Sequence, residues 1–261
     1  MRLLSLMNRE VRTSKRELLT YALTIVLILV VNATFQAFFS RYNQGILLSS
    51  AYDELFSSFL MLGGFILTSL MFSKDMFSKD GQQEWLMLPA TSLEKFLSKA
   101  LLSAFAYPLA LIALFFATSL VGEPLLLLFF KNPIQLFNPF VSEVGTLLVS
   151  YWVWQSVFLL GATYFHKAHF IKTVLAIGVI GISLGLLGML FSKIVFSIKF
   201  GSSYDMFNTF IYFDSSVMES PVGGFKVLNV LGKIVYYVLL PVFCWITAYF
   251  RVEEVQATDA I

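Results

Sequence analysis

The sequence predicts an all-α fold: a polytopic membrane helix bundle with six transmembrane helices, forming one domain over residues 1–261. The first observation is composition, since 58% of the residues are hydrophobic and only 13% are charged. Soluble domains carry roughly 25% charged residues. The second observation is a mean hydropathy of +0.79. Both values indicate that a lipid bilayer is the solvent for most of the chain.

The third observation is the spacing of the uncharged runs. Six stretches contain no Asp, Glu, Lys, Arg or His and are long enough to cross a hydrocarbon layer of ~30 Å. Backbone groups in hydrocarbon must bond within their own segment, so each stretch is predicted to be a helix. Pro108 and Pro241 each remove a backbone donor and predict kinks in the third and sixth helices. The six stretches are Leu18–Ser40, Leu55–Ser73, Ala100–Gly122, Val144–Phe165, Thr173–Ser192 and Ile234–Phe250.

Orientation follows from the distribution of Lys and Arg. With the N-terminus in the cytoplasm, twelve basic residues fall on the inner side and six on the outer side. The first two inner segments alone supply nine of the twelve. The positive-inside rule therefore predicts that both termini and the segment 74–99 are cytoplasmic.

Residues 1–17 predict a basic amphipathic helix in the cytoplasmic membrane interface. Apolar residues recur at near-helical spacing, at Leu3, Leu4, Met7 and Val11, while the arginines lie mostly elsewhere. The alternative is an ordinary positive flank that only sets orientation. A cleaved signal peptide is disfavoured because the following apolar run is too long and no small-x-small cleavage site follows it.

The cytoplasmic loop 74–99 carries the clearest local signal in the chain. Thr91-Ser92-Leu93-Glu94 has the form of a capping box, in which side chains and backbone N–H groups bond reciprocally at a helix start. We expect a short helix at the membrane surface. Its predicted faces are an apolar side with Leu93, Phe96, Leu97 and Leu101, and a basic side with Lys95 and Lys99.

Two outer segments are longer than turns. In residues 123–143, the apolar stretch Leu125–Phe130 is too short to span and is bracketed by Pro124 and Pro133, so a re-entrant or interfacial piece is expected within 124–131. Residues 193–233 form the second predicted extracytoplasmic loop, whose aromatic residues favour the headgroup boundary.

The fifth span contains four glycines that fall on one stripe, at Gly178, Gly181, Gly185 and Gly188. Small residues let a second helix approach closely, so helix packing is predicted there, within one chain or across a dimer interface. Gly181-Ile-Ser-Leu-Gly185 also matches the G-x-S-x-G nucleophile pattern. That motif requires a nearby histidine, whereas His169 is ~18 Å or more away along a helix. Serine hydrolysis is therefore strongly disfavoured.

The sequence contains no recognisable motif for a metal site, a nucleotide site or a nucleic-acid interface. His166 and His169 lack carboxylate or cysteine partners with metal-ligand spacing, so no metal site is predicted. No phosphate-binding loop of the form G-x-x-x-x-G-K-[ST] occurs, and the single cysteine, Cys244, lies in an apolar run. A net charge of +2 without a basic aromatic patch excludes nucleic acid as a predicted partner. We expect no cofactor and no enzymatic activity.

The uncharged spans argue against ion-driven transport. Pumps and ion channels hold ionisable groups or constrictions at membrane depth. The deepest polar residues here are Asn32, Gln36 and Gln155. The spans therefore suit an apolar or amphipathic cargo, or no cargo, and any energy for active transport must come from another subunit.

The chain resembles membrane-spanning permease subunits of ATP-binding-cassette exporters of the type-2 permease superfamily. Segments Leu88–Leu102, Tyr164–Thr173 and Ala248–Gln256 look like those of a Bacteroidetes-type branch. The resemblance implies two permeases, identical or different, under two cytoplasmic ATPase subunits. It also implies that a short loop helix docks on the ATPase, with the turn His166–Lys172 as a second contact. Carried onto this chain, the docking residues are Thr91, Ser92, Leu93, Glu94, Lys95, Phe96 and Lys99, with His166 and Lys167 in the turn.

The expected function is thus a permease subunit of an ATP-driven exporter in the bacterial cytoplasmic membrane. Membrane lipid, an ATPase subunit and a second permease subunit are the expected partners, and the expected cargo is amphipathic or lipid-like. The alternative is a non-transporting membrane scaffold or regulatory accessory subunit. The residues do not specify the substrate or the direction of transport.

Overall fold

The computed structural model describes residues 2–42, 51–77, 85, 87, 89–130, 136–165, 168–200 and 230–258. All regular elements in these ranges are helical, which confirms the all-α prediction. Three of them are short π-helical segments, named π1 to π3. In chain order the elements are α1 (Arg2–Thr13), α2 (Lys15–Tyr42), α3 (Ala51–Ser58), π1 (Phe59–Gly63), α4 (Gly64–Phe77), α5 (Ser92–Leu101), π2 (Leu102–Ala106), α6 (Tyr107–Phe130), α7 (Ser142–Tyr164), α8 (His169–Phe200), π3 (Val235–Leu239) and α9 (Leu240–Thr258).

Six continuous helices in the described ranges are long and apolar enough to cross a membrane, as predicted. The second joins α3, π1 and α4, and the third joins α5, π2 and α6. The third is the longest, with 39 residues. At 1.5 Å per residue it extends about 58 Å, well beyond a hydrocarbon layer of ~30 Å. The six are Lys15–Phe39, Tyr52–Phe72, Ser92–Phe130, Ser142–Tyr164, His169–Phe191 and Val230–Glu254.

Several predicted boundaries need correction. Helix α6 continues through Pro124 to Phe130, so most of the 124–131 stretch extends a helix and is not a re-entrant piece. Glu123, assigned to an outer loop, lies on α6 and is buried, where it accepts a hydrogen bond of 2.9 Å from the Tyr52 hydroxyl. Helix α8 runs to Phe200, into the predicted loop 193–233, and residues 201–229 of that loop lie outside the described ranges.

The N-terminal segment is helical but shorter than the predicted 1–17. Helix α1 ends at Thr13, and Lys15 begins α2. Backbone bonds from Ser14 N to Glu10 O and from Leu18 N to Ser14 O link the two helices across this junction. Helix α1 packs against α5. The N-terminal helix therefore lies beside the predicted docking helix.

The buried side chains form two clusters. One lies between α3, π1, α6 and α7, where the rings of Phe56, Phe115 and Phe137 contact one another. The other lies between α4, α5, α7 and α9 and includes Phe72, Phe96 and Ala248. In the described part of the chain, α4 and α9 both pack along α7, and α2 packs along α6.

Two π-helical segments lie just before the prolines that predicted kinks. Because Pro108 has no N–H, the carbonyl of Ala104 in π2 loses its usual i→i−4 donor. The indole N–H of Trp152 on α7 donates to that carbonyl instead, at 2.8 Å. Segment π3 stands in the same relation to Pro241. The irregular backbone of π2 is thus satisfied by a side chain from a neighbouring helix, as hydrocarbon requires.

Candidate docking helix and its buried polar network

The predicted capping box is present at the start of α5. Glu94 N donates to Thr91 Oγ1 at 3.3 Å, and Thr91 N donates to Glu94 Oε2 at 3.1 Å. Thr91 has extended backbone angles, as an N-cap residue should. The sequence therefore fixes where this helix begins. It does not end as a separate surface helix, because α5 continues through π2 into α6.

The basic side of α5 faces the protein rather than the solvent. Lys95 and Lys99 are 5% and 1% exposed. Lys95 Nζ donates to Trp85 O at 2.6 Å, and Lys99 Nζ donates to Met71 O at 2.9 Å. Both ammonium groups also lie over the Trp85 ring, that of Lys99 at 4.6 Å from its centroid. A buried cation loses its hydrating water, and here carbonyl oxygens and the ring face of Trp85 take the place of that water.

Phe96 is the apolar anchor of α5 in the bundle and is 4% exposed. Its ring contacts Phe72 on α4 and both Trp245 and Tyr249 on α9, with centroid distances between 5.8 and 6.3 Å. Burying a side chain of this size contributes roughly 1.5–3 kcal/mol. Phe96 therefore connects α5 to the second and sixth membrane-length helices and is not available to another protein.

The outer side of α5 is formed by the remaining predicted docking residues. Thr91 and Leu93 are exposed, and Ser92 and Glu94 are half-buried. Leu93, at 47% exposure, presents apolar surface beyond the bundle. Of the seven predicted α5 docking residues, Lys95, Phe96 and Lys99 are thus enclosed by this chain, and four remain accessible.

Helices α1 and α9 both contact α5, and other helices meet near this end of the bundle. The start of α8 lies near the end of α4, where the rings of His169 and Phe77 stack at 5.1 Å. The guanidinium of Arg251 on α9 lies over the ring of Tyr164, the last residue of α7. His166 and Lys167, the predicted second contact, fall between α7 and α8 but lie outside the described residues.

A polar network connects α5 and π2 to the middle of the bundle. The Tyr151 hydroxyl donates to Ser103 O at 2.7 Å, and Gln155 Nε2 donates to Ser103 Oγ at 2.9 Å. All three residues are fully buried. Gln155 was expected to be among the deepest polar groups, and here its amide ties α7 to π2. Interhelical bonds of this kind contribute about 0.6–2 kcal/mol each in membranes.

Adjacent glycines in the second span allow two tyrosines to approach its backbone. A Cβ at Gly63 would overlap the Tyr107 hydroxyl, which donates to Phe59 O in π1 at 2.6 Å. A Cβ at Gly64 would overlap the Tyr151 ring. This pair was not predicted, although two consecutive glycines in an apolar span are a recognisable signal of close helix packing.

The glycine stripe of α8 is placed differently. A Cβ added at Gly178, Gly181, Gly185 or Gly188 would meet no described atom within 4 Å. The stripe therefore packs no helix of the described chain, and its predicted role in packing stays a prediction. Ser183 is exposed on the same helix, away from His169 at its first turn.

No protein-family model, curated protein or solved structure matches this chain.

Proposed function

We propose that this protein is the permease subunit of an ATP-driven exporter of the ATP-binding-cassette type, coupled through α5 to a separate cytoplasmic ATPase. In this proposal both termini and α5 lie in the cytoplasm of a bacterium, and the cargo is amphipathic or lipid-like. The observation that carries the proposal is the two-sided nature of α5. Its outer side exposes Leu93 beside a well-formed helix start, while its inner side is fixed to the second and sixth membrane-length helices.

The continuity of α5 with α6 supports a mechanical role. A force applied to α5 by an ATPase would act directly on π2 and α6, because no loop intervenes. It would also act on α4 through Lys99 and on α9 through Phe96. Buried packing of this kind transmits displacement because protein interiors deform little. A passive surface loop would need none of these connections.

The polar groups inside the bundle support a cargo that is not a small ion. The described network around Ser103 is neutral, and each donor named above has a carbonyl or hydroxyl acceptor. Asn32 and Gln36 on α2 bond to each other within one helix, at 3.0 Å. The buried carboxylate of Glu123 on α6 accepts a hydrogen bond from the hydroxyl of Tyr52, at the start of α3. Proton or ion pumping would require an ionisable relay at membrane depth.

The test is a Leu93→Glu variant purified from its native membranes with its associated proteins. A charge on an apolar docking surface should weaken ATPase association about tenfold or more, equivalent to ~1.4 kcal/mol. Folding should be preserved, because an acidic residue is favourable in the first turn of a helix. Recovery of a phosphate-loop ATPase with the protein is measured by quantitative mass spectrometry.

Phe140→Glu is the matched control. Phe140 is 92% exposed and lies just before the start of α7, whereas α5 lies near the opposite end of α7, which finishes at Tyr164. This variant should retain the ATPase. Equal ATPase recovery from both variants would rule out docking through α5. Reconstituting the complex in vesicles distinguishes a permease from a scaffold. The measurement is ATP-dependent movement of a fluorescent lipid, which a scaffold would not support.

A further inference from the structure

An apolar groove opens between α2, α6 and the helix formed by π1 and α4. Its volume is about 530 Å³, within the range of ~300–1,000 Å³ typical of ligand pockets. The α2 wall consists of residues at helical spacing from Lys15 to Ile25. The facing walls include Ile66 and Leu70 on α4 and Ala110 on α6. Ile66 and Leu70 are 41% and 47% exposed, so the groove is open to its surroundings.

Two polar groups on the groove wall are already hydrogen-bonded within the protein. The Thr24 hydroxyl donates to Thr20 O within α2 at 2.8 Å, and the Tyr107 hydroxyl is bonded to Phe59 O. The remaining lining is almost wholly aliphatic or aromatic. In a bilayer such a groove is filled by hydrocarbon, because an empty groove would lose dispersion contacts and lipid tails are as apolar as leucine.

The positive charge at one end of the groove indicates which class of lipid fits best. Lys15 is the charged residue among the described lining residues and begins α2, just before the uncharged run. Arg12 and Arg16 are exposed within one turn of it. A Lys or Arg at the membrane surface attracts anionic lipid by about 1 kcal/mol. The apolar trough and its cationic end together match one lipid molecule.

We propose that this groove binds an anionic phospholipid, with one acyl chain between α2, α4 and α6 and the phosphate beside Lys15. The proposal goes beyond the transport function, because the site would hold a lipid whether or not the protein exports one. The occupant is a lipid from the bilayer rather than a soluble anion, since the cationic group stands at the end of a long apolar wall.

The experiment uses the full-length protein in phosphatidylcholine vesicles that contain phosphatidylglycerol with a photoactivatable acyl chain. Mass spectrometry locates the labelled peptides. Label should concentrate on the α2 and α6 residues that line the groove. Ala22→Trp fills the groove and should reduce that labelling several-fold, as should Ala110→Trp on the facing wall. Leu23→Trp is the control, because Leu23 is 68% exposed on α2 and outside the groove.

Headgroup recognition is tested in the same vesicles by comparing labelled phosphatidylglycerol with labelled phosphatidylcholine. Lys15→Gln should reduce the preference for the anionic lipid about fivefold, the factor that corresponds to one surface lysine. Arg16→Gln, which is outside the lining, should reduce it less. Equal labelling of Ala22→Trp and Leu23→Trp, equal labelling by both lipids, or an unlabelled wall covered by a second copy of the chain would each overturn the proposal.

Discussion

Helices α7 and α8 follow one another in the chain but relate to the bundle in opposite ways. Their membrane-length portions, Ser142–Tyr164 and His169–Phe191, each contain 23 residues. The first has a mean hydropathy of 1.4 in its most apolar stretch, of which 44% is buried. The second has a mean hydropathy of 2.5 and none of that stretch is buried. The less apolar helix is the one that other helices surround.

The comparison shows how a bilayer changes the meaning of hydrophobicity. In water, apolar residues are driven inside, whereas lipid tails are as apolar as the side chains and provide no such force between helices. Helix association then depends on close packing and interhelical hydrogen bonds. Helix α7 supplies both through Gly161, Tyr151 and Gln155, whereas the described part of α8 packs closely at its start, where Thr173 lies against Gly161.

The largest effect is expected from Gly161→Ala, at the contact between the two helices. The new Cβ would overlap Thr173 Oγ1 and lie 2.7 Å from its Cγ2. Thr173 is 3% exposed and its hydroxyl is bonded to His169 O at 2.7 Å, so it cannot turn away cheaply. Overpacking of this kind costs about 1–3 kcal/mol. The measurement is the free energy of unfolding in mild detergent.

Gly181→Ala on α8 is the matched control for that change. No described atom lies within 4 Å of its new Cβ, so only helix propensity changes. Alanine is favoured over glycine in a helix by about 1 kcal/mol, and the variant should be neutral or slightly more stable. If both alanine variants were stabilised equally, the contact between α7 and α8 would be loose and the contrast between the helices would be wrong.

A smaller effect is expected from Tyr151→Phe, which removes one buried hydroxyl from α7. The Ser103 carbonyl in π2 would lose its Tyr151 donor, at a cost of about 1 kcal/mol. Tyr164→Phe, at the exposed end of the same helix, should cost less than about 0.5 kcal/mol. Thermal unfolding of both variants under identical detergent conditions provides the measurement. Equal stability of the two would mean that π2 does not depend on α7.

The contrast between α7 and α8 also explains how far the sequence could predict the molecule. The six spans and the capping box were predicted because each depends on residues close together in the chain: an uncharged run, or Thr91 and Glu94 three positions apart. The burial of Lys95 and Lys99 could not be predicted in that way. Their partners, Met71 and Trp85, lie 28 and 10 residues away and contribute mainly backbone carbonyls and a ring face.

Helix packing was harder to predict for a reason specific to membranes. Lipid-facing and protein-facing surfaces are both apolar, so periodicity does not distinguish Gly161 from Gly181. The glycines of α8 were predicted to pack because of their regular spacing. The glycines that do contact other helices are isolated, as Gly161 is, or adjacent in sequence, as Gly63 and Gly64 are. Packed glycines differ from unpacked ones only in the side chain that faces them, which is Thr173 for Gly161 and Tyr107 for Gly63.

The smallest expected effect belongs to Ser183→Ala in the exposed part of α8. Ser183 lies in the G-x-S-x-G pattern, yet it is on a regular helix and not on a strand-to-helix turn. Removing a hydroxyl from an exposed helix surface should change the free energy of unfolding by less than about 0.5 kcal/mol. ATPase association and lipid movement should be unchanged. Helix α8 contacts the described bundle near its own first turns, away from Ser183, and the polar network around Ser103 does not include α8. A loss of activity without a loss of stability would instead indicate a nucleophilic serine, and α8 would then be the functional helix of the pair.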